Sequence, residues 1–411
     1  MKDDVFIAGV GMTSFGPQPE GSVKALTREA VTAALSDAQI DLSAVEGAFF
    51  GNVMQDWLEG QTSVPGQIAL RSMGFEGIPI VNVENACATA STAFYLAMMQ
   101  LRAGMADVVL AVGVEKMSHP DQALVMQAFE GGMDIHRKQE TLAELFAAAG
   151  EEVPNVEGKR TIFMDVYAAW ARAHMKAFGT TQEQFATVSA KNHRHSTLNP
   201  KCHFNKDMSV AEVLAGRALA FPLTVPMCSP LSDGAAAAVL CTKRGLERLR
   251  EAAPVRVRAC KLGSSVDRDA HNMDWNQHIG RRTALAAYEE AGVAPADISV
   301  AEVHDATAVG EVIQSECLGL CELGEGGRFA ESGATSLGGR VPINPSGGLE
   351  SRGHPIGATG LAQIYELVTQ LRGRAGRRQV PDARLAIAEN GGGLYGIEEA
   401  SCVITILEGM S

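Results

Sequence analysis

Cys87 stands in "VENACATASTAF", where a strand-like run (Ile78, Ile80, Val81, Val83) gives way to an alanine-rich stretch that reads as helix. A thiol attacks carbon as its thiolate, and a helix N-terminus favours that form. Ala86, Ala88 and Ala90 leave space beside the sulfur. The ordinary role of such a cysteine is that of a small buried hydrophobe, so a nucleophile requires a base within reach. Two histidines qualify by position. His354, in "GGLESRGHPIGATG", immediately precedes a second helical stretch, and His304, in "VAEVHDATAVGE", ends a strand-like run. The C-terminal ends of strands are where α/β sheets present functional groups. Each histidine also has a plain structural reading, as a turn or backbone-bonded residue. "AENGGGLYG" carries three consecutive glycines, Gly391 to Gly393. Such a run lets a backbone N–H approach a reacting carbonyl oxygen, or simply makes a tight turn.

An internal duplication brings these residues together. Strand-like runs (Val5 to Val10, Val45 to Phe50, Val108 to Val114) alternate with amphipathic helical stretches, the pattern of an α/β layered fold. "DAQIDLSAVEGAFF" from Asp37 matches "EAGVAPADISVAEV" from Glu290 at a shift of 253 residues. "CATASTAFYLAMMQLR" from Cys87 matches "GATGLAQIYELVTQLR" from Gly357 at a shift of 270. The second pair shares Ala88/Ala358, Thr89/Thr359, Tyr95/Tyr365, Gln100/Gln370, Leu101/Leu371 and Arg102/Arg372 in register. An approximate two-fold axis then turns the two helix N-termini toward each other, so that Cys87 and His354 converge from opposite halves. The boundaries expected are 1–254 for the first half, with a helical insertion at about 118–221, and 255–411 for the second. Asp233-Gly234 reads as a turn before the apolar run Ala235 to Leu240.

The remaining features narrow the function class. A net charge of -13 argues against nucleic-acid or anionic-membrane partners. The densest basic stretch, "AKNHRHSTLNPK" (Lys191, His193, Arg194, His195, Lys201), is a place for CoA or nucleotide phosphates, or a solvated helix end. Eight cysteines without a CxxC pair fit a reduced compartment. Cys317 and Cys321 lack companion ligands, and no metal site is expected. GxGxxG followed by a distal acid, GxxxxGK[ST] and HExxH are all missing. "MKDDVFIAGVG" opens on a strand, "MADVVLAVGVEKM" is too short to span a bilayer, and "EGMS" is no address, so the expected location is cytoplasmic.

Cys87 at a helix start, "HDAT", "GHPIGATG" and the C-terminal "NGGG", in this order, resemble the thiolase superfamily over essentially the whole chain. The likeness is nearest to the HD-motif, sterol-carrier-protein-type thiolases and their bacterial and archaeal relatives. It implies two βαβαβαββ halves in a five-layered αβαβα fold with an inserted loop domain. It further implies that Cys87 takes the acyl group as a thioester and that His354 accepts the thiol proton. His304 replaces an asparagine that positions a water. The N–H groups of Cys87 and Gly392 form the oxyanion hole. Arg194, Asp305, Ala306, Gly353, Gly391, Gly393 and Tyr395 are placed around substrate and CoA. CoA is a substrate; no cofactor is held permanently. The family also implies at least a homodimer.

Two positions depart from the family. Asn390 stands at the catalytic position where ordinary thiolases carry a second cysteine, and Ala306 stands where HD-motif members carry HDCF. The usual proton carrier is therefore missing; His304, Tyr395 or a bound water remain in its place. Three chemistries stay open. One is a thiolase for bulky, aromatic or branched 3-oxoacyl-CoA, of the benzoylsuccinyl-CoA kind. Another is a decarboxylating ketoacyl synthase with a Cys-His-His set. The third is a thiolase-like aldolase or assembly subunit working with a small OB-fold, zinc-ribbon partner.

Overall fold

The computed structural model describes residues 4–154, 160–249, 252–269 and 273–410. Residues 1–3 of the opening run, 155–159 of the expected insertion and the last residue of "EGMS" lie outside them. Among the described residues nine strands form one sheet: β1 (Val5–Met12), β2 (Gly47–Gly51), β3 (Ile80–Val83), β4 (Val108–Glu115), β5 (Gly234–Thr242), β6 (Val255–Ser264), β7 (Val300–Glu302), β8 (Leu385–Gly392) and β9 (Ser401–Gly409). Their order is β3-β2-β4-β5-β1-β6-β9-β8-β7. It mirrors itself about the β1–β6 junction, where Val5, Phe6 and Ile7 pair with Val257, Arg256 and Val255.

The duplication is visible in register. Ala48 pairs in parallel with Ile80, and Ala301, its repeat mate, bridges in parallel to Ile343. The second-half counterpart of β3 is reduced to that single bridge. From Asn344 onward the second half then inserts the short helix Gly348–Arg352 and the His354 loop before its central helix. Reciprocal ion pairs repeat the same symmetry. Arg102 meets Glu290 at 2.7 Å, and its mate Arg372 meets Asp37, the mate of Glu290, at 2.5 Å.

The layers follow from which faces are apolar. Helices Thr89–Arg102 and Thr359–Leu371 are buried between the two halves of the sheet, packing Ala93, Ala97, Leu361 and Leu367 against Ile7, Ala238, Val257 and Val403. Helix Val23–Ala38 covers the outer face of the first half and helix Ile279–Ala291 that of the second. This is the αβαβα thiolase fold. The central layer demands small residues: a Cβ on Gly113 would sit 2.4 Å from the Gly357 carbonyl oxygen. That approach joins the two halves just below the His354 loop.

Between β4 and β5 the chain builds helices Gln122–Glu130, Lys138–Ala149, Ile162–Phe178, Gln182–Ser196 and Val210–Leu214. Asp233-Gly234 is not the turn its composition suggests. Gly234 already belongs to β5, and the fully buried Asp233 carboxylate accepts N–H bonds from Met117 and Ser118 at 2.7 Å and Gln18 at 2.8 Å. Asp-Gly has turn propensity, but three orphan N–H donors at the edge of the insertion outweigh it.

Candidate active site

Cys87 sits in the single 3₁₀ turn Ala86–Ala88 that leads into helix Thr89–Arg102. Ala86 holds φ at 48°, a left-handed conformation that costs an L-residue about 1–2 kcal/mol. Glu84 and Thr89 stabilise the turn: the Glu84 carboxylate accepts the Ala86 N–H at 2.6 Å, and the Thr89 hydroxyl accepts that of Asn85 at 2.7 Å. From the other half, Thr359 performs the equivalent task for the histidine loop. Its hydroxyl lies 2.6 Å from His354 Nδ1 and donates to the Pro355 carbonyl at 3.1 Å. A hydroxyl proton committed to that carbonyl makes the oxygen an acceptor of Nδ1–H, so His354 turns a bare Nε2 inward. His304 donates its backbone N–H to Glu389 at 2.8 Å, and its Nε2 lies 3.5 Å from that of His354. The Cys87 sulfur and one nitrogen of each ring lie within 4.8 Å of one another. The convergence expected from the duplication is the geometry observed.

The electrostatics differ from the helix-terminus expectation. Burial pushes the Cys87 thiol up to about 12, the Glu115 and Glu84 carboxylates add to the rise, and an N–H from Gly393 opposes it. Burial likewise pushes His304 down to about 4 and His354 well below its ordinary value, the latter helped by His304 and Arg352. One short helix turn does not offset the desolvation of a thiolate between apolar layers. The resting site is thus a neutral thiol beside two neutral imidazoles. The sign is definite. A base with a depressed pKa stays competent as pH falls, and a thiol at about 12 does not ionise in the working range. We expect kcat/KM to hold level between about pH 6 and 9 and to fall only below about pH 5. A bell centred near neutrality, as a preformed thiolate–imidazolium pair gives, would contradict this charge state.

The other sequence candidates are distributed unevenly. Gly392 and Gly393 lie against the Cys87 turn, and Gly391 lies between His304 and Glu399. Gly392 packs where a Cβ would meet the Asn85 carbonyl at 2.5 Å, and the N–H groups that reach the sulfur belong to Cys87 and Gly393, one residue beyond Gly392. Gly353, with φ at 105°, backs onto Ser232 and His203. Asn390 turns away from the sulfur: its Oδ1 accepts from Ser91 at 2.6 Å between the central helices. Asp305 is fully buried and touches no open space. It accepts the Leu349 N–H at 2.7 Å and the Asn192 amide at 3.0 Å, and so anchors the short helix that precedes the His354 loop. Ala306 is buried among the insertion helices, its carbonyl accepting from Ser229 at 2.9 Å. Tyr395 is 52% exposed, on the rim of a separate polar cleft with Asp134 and Arg268.

The basic stretch is largely spent inside. Lys191 pairs with Glu311, His195 bonds the Asn344 carbonyl at 3.0 Å, and Lys201 bonds that of Met12 at 2.6 Å. Arg194 is exposed, 3.8 Å from Asp207. A cavity of about 570 Å³ opens beside it, lined by Met164, His193, Phe204, Lys206, Arg217 and Leu231 among others. Leu231, on the cavity wall, packs against the same apolar cluster as Cys87. Sequence reasoning missed Thr359, Glu389 and the Glu302–Arg352 pair. Thr359 alone left a signal, being identical in both copies of the repeat.

A two-fold α/β scaffold that brings a cysteine and two histidines from its two halves within 4.8 Å of one another presents the residue types of an acyl-transfer enzyme. Comparison with known proteins agrees. Residues 5–213 match the thiolase N-terminal domain and 263–406 the thiolase C-terminal domain-like family. The chain is 40% identical to sterol carrier protein 2 of Bos taurus over 95% of its own length and 70% of that protein. It is 35% identical to benzoylsuccinyl-CoA thiolase subunit BbsB of Thauera aromatica, over 95% of this chain and 94% of that one. Among solved structures the Ltp2-ChsH2(DUF35) aldolase superposes with a TM-score of 0.77 at 24% identity, covering 99% of this chain and 98% of that one. The chain belongs to the thiolase family, and it is an acyl-CoA C-acyltransferase.

Proposed function

We propose that the chain cleaves or forms a 3-oxoacyl-CoA in two steps through a thioester on Cys87, with CoA entering by the 570 Å³ cavity. The observation that carries the reading is the clustering of the sulfur and both ring nitrogens within 4.8 Å. His354 takes the thiol proton as the sulfur attacks the 3-oxo carbon. The N–H groups of Cys87 and Gly393 hold the acyl oxygen, taking the place foreseen for Cys87 and Gly392. Lys206 and Arg217, on the cavity wall, receive the CoA phosphates in preference to Arg194, which lies outside that lining. Ala306, smaller than the cysteine of HD-motif relatives, favours a bulky, aromatic or branched acyl group, and the similarity to BbsB supports this. Intact-protein mass spectrometry after exposure to a panel of acyl-CoAs tests it. A single acyl mass on Cys87, largest for bulky acyl groups and lost in Cys87→Ser, is the expected result; acylation that survives the substitution overturns it.

Two features support assembly. β3 is the end strand of the sheet, with Val81 44% exposed, which suits the edge-to-edge dimer of thiolase folds. Val81→Lys is expected to shift a dimer toward monomer in sedimentation; an unchanged mass places the contact elsewhere. The solved neighbour is itself a complex with a DUF35 chain, which favours, as the second reading, a subunit that works with a small OB-fold, zinc-ribbon partner. Co-purification of a small zinc protein checks that reading, and release of CO₂ from malonyl-CoA during condensation would redirect both to the synthase chemistry. Among the described residues no helix is long and apolar enough to cross a membrane.

A further inference from the structure

Behind His304 lies a second polar array. Glu399, in the connector between β8 and β9, faces His278 Nε2 at 3.2 Å and accepts from Gln314 Nε2 at 3.0 Å. His278 Nδ1 in turn accepts the Gly280 N–H at 3.1 Å and lies 3.4 Å from Cys317 Sγ. Each of these side chains is more than nine-tenths buried. The array aims at the one unsatisfied atom of the catalytic cluster. His304 Nδ1 is buried without a hydrogen-bond partner. Gly391 separates it from Glu399: the point a Cβ would occupy on Gly391 is 3.2 Å from His304 Nδ1 and 3.2 Å from Glu399 Oε1. A carboxylate and an imidazole nitrogen thus face each other across a residue that has no side chain. The remaining titratable groups around the ring are Cys87 and His354 on its Nε2 side and Glu389 at its backbone, with Tyr167 of helix Ile162–Phe178 nearby.

Among the described residues no other cysteine hydrogen-bonds either histidine. Cys317 contacts His278, and Cys402 contacts Glu389. We infer that Glu399, fixed by His278 and Gln314, is a positioning residue that keeps the His304 proton on Nδ1 and so makes His304 the second acid–base group, in place of a second cysteine. Its charge attracts the Nδ1 proton and leaves the Nε2 lone pair facing that of His354 at 3.5 Å. The two lone pairs and the thiol then share one movable proton.

This inference rests on the acyl-enzyme reading, and the protons balance. As Cys87 sulfur bonds the 3-oxo carbon, its proton passes to His354 Nε2. The carbon–carbon bond breaks and its electron pair stays on the α-carbon of the departing acyl-CoA. The proton crosses from His354 to His304, whose cation faces Glu399, and goes on to that carbon. In the second step the CoA thiol gives its proton to His304, the CoA sulfur displaces Cys87 from the thioester, and the Cys87 sulfur regains a proton through His354.

Exchange of the acetyl-CoA methyl protons in D₂O isolates the α-carbon step, and acetylation of Cys87 by the same compound isolates the nucleophile. Glu399→Gln is expected to slow exchange about tenfold or more while acetylation stays within about twofold. The acid limb of exchange should also move to lower pH, because the lost carboxylate favoured the His304 cation. Exchange within about twofold of the native rate overturns the inference, as do exchange and acetylation falling by one common factor. Since Glu399 is buried, a second measurement uses the native protein: ¹⁵N shifts of His304, assigned with His304→Asn, should report the Nδ1–H tautomer, and Nε2–H overturns the inference. Failure of the native protein to take an acyl group on Cys87 from any member of the acyl-CoA panel overturns the acyl-enzyme reading and this inference with it, whereas acylation with unaltered exchange removes this inference alone.

Discussion

Cys87→Ser should lower turnover of a 3-oxoacyl-CoA by about 10⁴-fold or more and leave no acyl mass on the protein. The reason lies in the charge state of the site. Burial already pushes the thiol up to about 12, so the proposed mechanism depends on concerted transfer to His354 rather than on a standing thiolate. A hydroxyl is a much weaker acid still, and a base depressed by burial cannot take its proton. His354→Ala should cost about 10²–10⁴-fold by the same logic, since no preformed thiolate survives the loss of the base. Steady-state turnover and intact mass read both, with circular dichroism confirming the fold. Native turnover by Cys87→Ser would remove the nucleophile assignment outright.

Arg352→Met should produce the largest loss of stability of any single change near the site, about 3–5 kcal/mol. Arg352 is 1% exposed, and its Nη1 reaches Glu302 at 2.9 Å and the Ser346 hydroxyl at 3.1 Å. Without the guanidinium, Glu302 is left buried with its charge uncompensated. Burial already raises Glu302 to about 7, with Arg352 pulling it down. Removing that pull raises the folded-state value further while the unfolded value stays near the ordinary carboxylate range. The variant therefore binds its extra proton in the folded state, and its deficit is smaller at pH 6 and grows as pH rises above about 7. Urea unfolding at pH 6 and pH 8.5 measures this, and a deficit that is flat or shrinks with pH would sink the argument. Adding Glu302→Leu to Arg352→Met should recover part of the loss, because the unpaired charge, not the missing contact, is the larger cost.

How far the site was legible depends on which residues are asked about. Cys87 and His354 were readable because both lie at helix starts related by the repeat, and the repeat carries its own symmetry operator. Thr359 was readable in principle for the same reason. Asp305 read as substrate-facing because of the family resemblance, and Lys191 and His195 as phosphate-facing groups because they lie in the densest basic stretch of an acidic chain. They are instead internal partners of Leu349, Glu311 and Asn344, residues from 44 to 149 positions away. Nothing local in the sequence distinguishes a carboxylate that meets a substrate from one that anchors a helix. The directions of Asn390 and Tyr395 were equally hidden: Asn390 accepts from Ser91 between the central helices, and Tyr395 stands exposed on the rim of the other cleft.

By itself the sequence determined the alternation of strands and helices, the duplicated plan and the two helix starts that carry Cys87 and His354. Those depend on period, propensity and identity, which act over a few residues. Tertiary structure alone decided how the site is charged. Whether Cys87 rests as thiol or thiolate, and whether His304 and His354 rest neutral, turns on how many layers of protein exclude water from them. That desolvation is a sum over both halves of the sheet and the insertion helices. It reversed the sign expected from a helix N-terminus, because the field of one turn is weaker than the loss of water around a buried charge.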